Sequence, residues 1–176
     1  MKTIAIAAVT AGGKTSVTNA LKSRLENATS LHFDDYTFDG EVEDFGQWVR
    51  DGGDYSVWDI TPLKQDVERI KNSGKYEYLL LDYPFAYQHP TLKDEIDCAI
   101  FIDTPLDIAL ARRVLRDMKD ASGDDIRTEL DTYINYARPA FVHMLKTILP
   151  DSDAVVDGAR ELEKVVEDVE KVVRGL

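Results

Sequence analysis

Residues 3–15 read TIAIAAVTAGGKT. A short apolar run enters a glycine-containing turn, and an amphipathic stretch, SVTNALKSRLE (16–26), leaves it. The segment AVTAGGKT (8–15) fits the phosphate-loop pattern G-x-x-x-x-G-K-[ST] except at its first position, where Ala8 stands in place of glycine. Such a loop works because consecutive backbone N–H groups converge at the start of a helix, where they and the helix dipole favour an anion. The amides of Ala11, Gly12, Gly13, Lys14, Thr15 and Ser16 are the expected cup. Lys14 is placed to reach β- and γ-phosphates, the Thr15 hydroxyl to face Mg²⁺, and Ser16 to add an α-phosphate contact. Ala8 falls where the strand ends and is tolerated if its φ is negative there.

Strand-like runs recur along the chain: TSLHF (29–33), YEYLLLD (76–82), CAIFID (98–103) and DAVVD (153–157). YLLL and AIFI are continuous rather than alternating, as in strands covered on both faces of a parallel sheet. Helical patterns fill the gaps. TPLKQDVERIKN (61–72) and TPLDIALARRVLRDMKD (104–120) share an opening in which Thr61 and Thr104 are candidate N-caps ahead of Pro62 and Pro105. The stretch 124–149 is long enough for one helix, which Pro139 should kink or split. In ELEKVVEDVEKVV (161–173), Leu162, Val165, Val166, Val169, Val172 and Val173 form one stripe. Alternating strands and helices predict an α/β three-layer fold with five parallel strands in the order 2-3-1-4-5. The expected organisation is a single domain over 1–176, with a flap at about 40–60 and a lid at about 112–126.

Composition narrows the function classes. Of 176 residues, 21 are basic and 33 acidic, a net charge of −12. That argues against a nucleic-acid partner, which needs clustered Lys and Arg, but leaves room for a small phosphorylated ligand. The single cysteine, Cys98, precludes an internal disulfide and reads as an inert core thiol. No stretch approaches a membrane span, and a cytoplasmic location without membrane or nucleic-acid partners is expected.

Three further clusters carry chemistry. Asp34 and Asp35, in LHFDDYTFDG (31–40), fall at the C-terminal end of the second strand, where ligands of open α/β sheets gather. A carboxylate there suits accepting a proton from a substrate hydroxyl or holding a magnesium-bound water. Asp82 ends the most apolar strand, the position of an acid near Mg²⁺ across from Thr15, and Tyr83 after it would border a substrate. Arg112, Arg113 and Arg116 crowd one helix, and Arg113 and Arg116, three apart, share a face suited to an anion. MKDASGDD (118–125) follows as a polar, glycine-containing segment. His32, His89 and His143 lack metal-ligand spacing and receive no role. Trp48 and Trp58 read as packing residues, with a substrate-facing position left open for Trp58 beside Asp59.

VTAGGKTSVTNAL, FDDYTF and DTPLDIALARRVLRDM, followed by YINYARPAF and DSDAVVDG, together resemble the uridine kinase and nicotinamide riboside kinase branch of P-loop kinases. The resemblance spans most of the chain and is weakest between residues 40 and 75. It implies Asp34 as general base and Arg113 and Arg116 engaging substrate and phosphates as a lid closes. It also implies that Asp59 and Tyr36 hold the sugar side. The chain departs from that branch at Ala8, at Asp82 in LLLDYP where uridine kinases carry a Glu-Gly pair, and in DASGDD where further arginines are common.

The expectation is ATP- and Mg²⁺-dependent phosphoryl transfer to a hydroxyl of a small nucleoside-like or sugar-like metabolite. Lys14, Asp34 and Arg116 are catalytic in this reading. The loop with Arg113 and Arg116 holds nucleotide, and Thr15, Asp34 and Asp82 serve the metal. Asp35, Tyr36, Asp59, Tyr83 and Arg113 hold the acceptor. Two alternatives stay open: a nucleotide-binding regulatory or assembly module without an acceptor, and a nucleoside monophosphate kinase, for which Arg50 is the obvious phosphate-binding candidate. A homo-oligomer is also left open.

Overall fold

The computed structural model describes residues 1–40 and 42–176, so Glu41, within the expected flap, lies outside the described residues. Five strands form one parallel sheet: β1 (Lys2–Ala7), β2 (Ala28–His32), β3 (Tyr78–Asp82), β4 (Cys98–Asp103) and β5 (Ala154–Asp157). The order is β2-β3-β1-β4-β5, as expected from the sequence. Register aligns Ile4 with Leu80 on one side and Cys98 on the other, so the apolar runs pair with one another at the centre of the sheet.

Side-chain alternation divides this sheet into two cores. Ala5, Ala7, Leu79, Leu81, Tyr83, Ala99 and Phe101 face one way. They meet α3 (Thr61–Ser73), α6 (Arg138–Thr147) and the flap, whose helix α2 spans Phe45–Arg50. Ile4, Ile6, Ala8, Leu80, Cys98, Ile100 and Ile102 face the other way, onto α1 (Lys14–Arg24) and α7 (Leu162–Arg174). In α7 the stripe is buried at Val165, Val166, Val169 and Val173, whereas Leu162 at its start stays half exposed. Burial pushes the Cys98 thiol up to about 11, consistent with an inert core residue.

Two of the expected caps work differently. α3 begins at Thr61 itself with Ile60 at the N-cap position, and the capping contact comes from Asp59 before it, whose carboxylate accepts from the Thr61 N–H at 3.0 Å and the Thr61 hydroxyl at 2.5 Å. α4 (Leu106–Asp117) begins after Pro105, and Thr104 turns away from it. The long stretch after residue 120 does split near Pro139. α5 (Gly123–Thr132) opens on a Ser122–Asp125 capping box, a π-helical turn covers Tyr133–Ala137, and α6 follows. Pro139 donates no N–H, and its ring opposes the carbonyl four residues back, so the ladder widens there. Among the described residues no helix is long and apolar enough to cross a membrane.

Candidate active site

The C-terminal ends of β1, β2 and β3 and the start of α1 converge on a polar cluster. Gly13, φ 106°, stands at the N-cap of α1 without a side-chain cap, and the first turn holds no acid. Ala11 is also left-handed, at φ 57°. Alternation of this kind turns successive amides inward as a nest for an anion. Ala8 is not among the positive-φ residues and is buried, so the missing glycine costs the loop no conformation. Its methyl does restrict position 12: a Cβ on Gly12 would lie 2.8 Å from that of Ala8.

Asp82, 3% exposed, is the hub. Its Oδ2 accepts from the Thr15 hydroxyl at 2.6 Å and lies 3.0 Å from His32 Nδ1. Its Oδ1 sits 3.4 Å from Lys14 Nζ and has no hydrogen-bond partner among the described residues. Thr15 and Asp82 offer hard oxygens of the kind Mg²⁺ takes. They are too few to enclose it, and among the described residues no group of three or more His, Cys, Asp or Glu could hold a metal. That donor set fits an ion completed by phosphate and water. His32, passed over in the sequence, joins the cluster because β2 ends beside β3, with His32 in register with Asp82.

Behind the loop lies a brace that local patterns could not reveal. Thr104 Oγ1, buried, donates to the Gly12 carbonyl at 2.8 Å. Gly158 packs so closely on Thr104 that an added Cβ would collide with its hydroxyl. The Gly158 N–H donates to Asp103 O at 2.9 Å, and Arg112 donates to Gly158 O at 3.0 Å. The loop, the end of β4 and the turn after β5 are thereby tied together.

The cluster opens on a cavity of about 620 Å³ whose walls include Ala8, the loop, Asp34, Arg112, Arg116 and Arg160. Lys14 and these three arginines set a basic lining inside an acidic chain. A smaller cavity of about 250 Å³ is walled by Thr15, Asn19, His32, Asp34, Asp35 and Asp82. Asp34 therefore faces both spaces. Asp117 holds Arg116 through two hydrogen bonds, 2.5 and 2.8 Å, and raises its pKa, with a smaller contribution from the charge of Asp34.

Several expected acceptor residues lie elsewhere. Tyr36 donates its hydroxyl to Asp66 of α3 at 2.8 Å and does not line the cavity. Asp59 is engaged as the α3 cap. Tyr83 is fully buried, since it continues the Leu79–Leu81 face into the core beside Phe33 and Phe85. Arg113 is paired with Glu129 of α5 at 2.8 Å. Arg112 lines the cavity with Arg116, because four residues apart is the stripe that α4 turns inward. Arg50 bonds back to Gln47 on its own helix and lies off the cavity wall. The cavity's remaining wall is aromatic and came mostly unannounced: Phe45, Trp48, Tyr55, Trp58, Phe85 and Phe141.

The sequence matches the model of the Phosphoribulokinase / Uridine kinase family over residues 80–164. It is 25% identical to a uridine kinase of Staphylococcus epidermidis over 87% of this chain and 86% of the relative. It is 28% identical to a uridine kinase of Shewanella piezotolerans over 62% of this chain and 52% of that one. The fold is similar to shikimate kinase from Bacteroides thetaiotaomicron, with TM-score 0.57, 11% identity and 98% of each chain covered. Deoxyadenosine kinase from M. mycoides is another such fold, with TM-score 0.53, 15% identity, and 99% and 100% covered. The chain thus shares its fold with P-loop small-molecule kinases and is similar in sequence to uridine kinases over most of its length. It departs from the loop pattern at Ala8 without losing the loop's shape.

Proposed function

We propose that the protein, located in the cytoplasm, transfers the γ-phosphoryl group of ATP, with Mg²⁺, to a hydroxyl of a small nucleoside-like or sugar-like acceptor. The observation that carries this reading is the Lys14–Asp82–Thr15 cluster, with Asp34 lining both the cavity of about 620 Å³ and the smaller one that Thr15 and Asp82 wall. The polyphosphate rests on the loop amides and Lys14. The nucleoside end extends along Ile102, Arg112, Gly158 and Arg160, which line the cavity toward β4 and β5. The acceptor enters from the opposite, aromatic side. Asp34 receives the hydroxyl proton as the acceptor oxygen bonds to the γ-phosphorus. The bond from that phosphorus to the β–γ bridging oxygen breaks, and ADP departs with the electron pair. Thr15 and Asp82 would hold Mg²⁺, with Asp34 reaching it through water, and the ion supplies charge neutralisation to the transferring group. Arg116, on an exposed ion pair that costs little to exchange, turns to the phosphates as the 112–126 segment closes.

The test is ADP release with Mg-ATP and an acceptor panel. Lys14→Ala should lower acceptor-dependent turnover by about 10²–10³-fold while circular dichroism shows a folded protein. Retained turnover in that variant sinks the assignment, and tight ATP binding with no response to any acceptor points instead to the regulatory module. The monophosphate-kinase alternative loses its support, because Arg50 is engaged away from the cavity.

A further inference from the structure

Among the described residues, one side of the cavity presents ring faces and almost no free polar group. Its rings come from three places in the chain: Phe45, Trp48, Tyr55 and Trp58 from the flap, Phe85 from the turn after β3, and Phe141 from α6. They brace one another. Trp48 meets Tyr55 at 5.2 Å and Trp58 at 5.4 Å, both near edge-on, and Phe85 lies 5.0 Å from both Tyr55 and Trp58. The contacts hold the wall preformed, so a ligand need not order it.

The polar ends of these rings are spent on the scaffold. Trp48 Nε1 donates to Asp54 O at 3.0 Å, and the Tyr55 hydroxyl bonds Thr147 Oγ1 at 3.0 Å. His143 Nε2 engages Gly53 O and His89 Nε2 engages Trp58 O, and neither imidazole lines the cavity. The remaining ring donor, Trp58 Nε1, serves one acceptor atom at most. The ionic side chains that line the cavity are Lys14, Asp34, Arg112, Arg116 and Arg160, and none of them comes from the flap, the turn after β3 or α6. A site that reads a sugar or a base edge needs hydrogen-bonding partners, and each hydroxyl buried without one costs roughly tenfold or more in affinity. One hydroxyl is provided for here, at Asp34.

From this geometry we infer that the acceptor is an alcohol carried on a flat, weakly polar ring, an aryl or heteroaryl alcohol, and neither a polyol nor a ribonucleoside. The inference rests on the phosphoryl transfer proposed above and replaces its nucleoside-like or sugar-like acceptor with a ring-borne alcohol. The ring lies against the wall to which Trp48, Trp58 and Phe141 contribute, and its side-arm hydroxyl reaches Asp34.

The experiment compares 2-phenylethanol, 3-pyridinemethanol, uridine and ribose in two measurements on the full chain: Mg-ATP-dependent ADP release, and quenching by each compound of tryptophan fluorescence excited at the red edge of indole absorption. The aryl alcohols should exceed uridine and ribose by at least tenfold in kcat/KM and in binding. Phe141→Ala should raise the KM for the aryl alcohol about tenfold with ATP affinity unchanged. Trp48→Phe, which keeps a ring, should raise it less. Preference for uridine or ribose overturns the inference and leaves the kinase standing. Aryl alcohols that quench without any ADP release support the ring site and overturn the kinase reading. Absence of both quenching and turnover with aryl alcohols overturns the inference.

Discussion

The phosphate loop and the aromatic wall face the same cavity and are built on opposite principles. The loop is a main-chain device: its shape follows from φ 57° at Ala11, φ 106° at Gly13 and a bare helix start, all within a few residues. The wall is a side-chain device, assembled from residues 45 to 141, and it doubles as part of one of the protein's two cores. Chemistry concentrated in the backbone can be changed without unfolding the protein. Chemistry carried by core rings cannot.

The difference makes testable demands. The largest effect should come from Lys14→Ala, which removes about 10²–10³-fold of turnover. Its melting stays cooperative, because Asp82 keeps Thr15 and His32. Next is Trp48→Ala, which should cost about 3–5 kcal/mol of stability by chemical denaturation, since the ring is 9% exposed and touches four other rings. If Lys14→Ala destabilises the protein as much as Trp48→Ala does, the contrast between the two regions breaks. Thr104→Val probes the brace: it leaves the Gly12 carbonyl without its donor, for about 1–3 kcal/mol, and a calorimetric ATP titration should weaken by tenfold or more.

A smaller effect concerns acidity on the wall's outer side. Burial lowers the pKa of His89, whose Nε2 donates to Trp58 O at 2.9 Å while Nδ1 accepts from the Thr91 N–H at 3.2 Å. The unfolded chain therefore binds a proton that the folded chain resists. This contribution to stability is complete above the unfolded value near 6.5 and is lost as pH falls below it. Tm should drop from pH 7 to pH 5, and His89→Gln should flatten that drop; an unchanged slope would show that His89 is not its source. The smallest expected change is Ala11→Gly, which relieves a left-handed alanine and should raise stability by about 1 kcal/mol.

What could be read in advance follows the same division. The strands were legible because YLLL and AIFI are buried on both sheet faces, and the loop because its residues are contiguous. Asp34 and Asp82 were legible because strand ends of an open sheet point at one edge. Thr104 was misread because the same Thr-Pro opening serves a local start at residue 61 and a long-range bond to Gly12 at residue 104. Arg113 was preferred to Arg112 because three- and four-residue spacings share a helix side until packing chooses one. Tyr36 and Tyr83 adjoin site residues in sequence, yet one reaches Asp66 and the other follows strand parity into the core. The ring wall was only hinted at, by the two tryptophans of the flap and by Trp58 beside Asp59, since bringing residues 48 and 141 to one cavity requires the fold.

The under-wound turn at Tyr133–Ala137 sets the rotational phase of α5 on α6. Removing a single residue there would let the backbone regain ordinary helical pitch and screw α5 round by about 100°. Glu129 would swing off Arg113 while every residue of α6 beneath the ring wall kept its place. One surplus amino acid thus works as a dial, aiming α5 independently of the α6 residues under the ring wall.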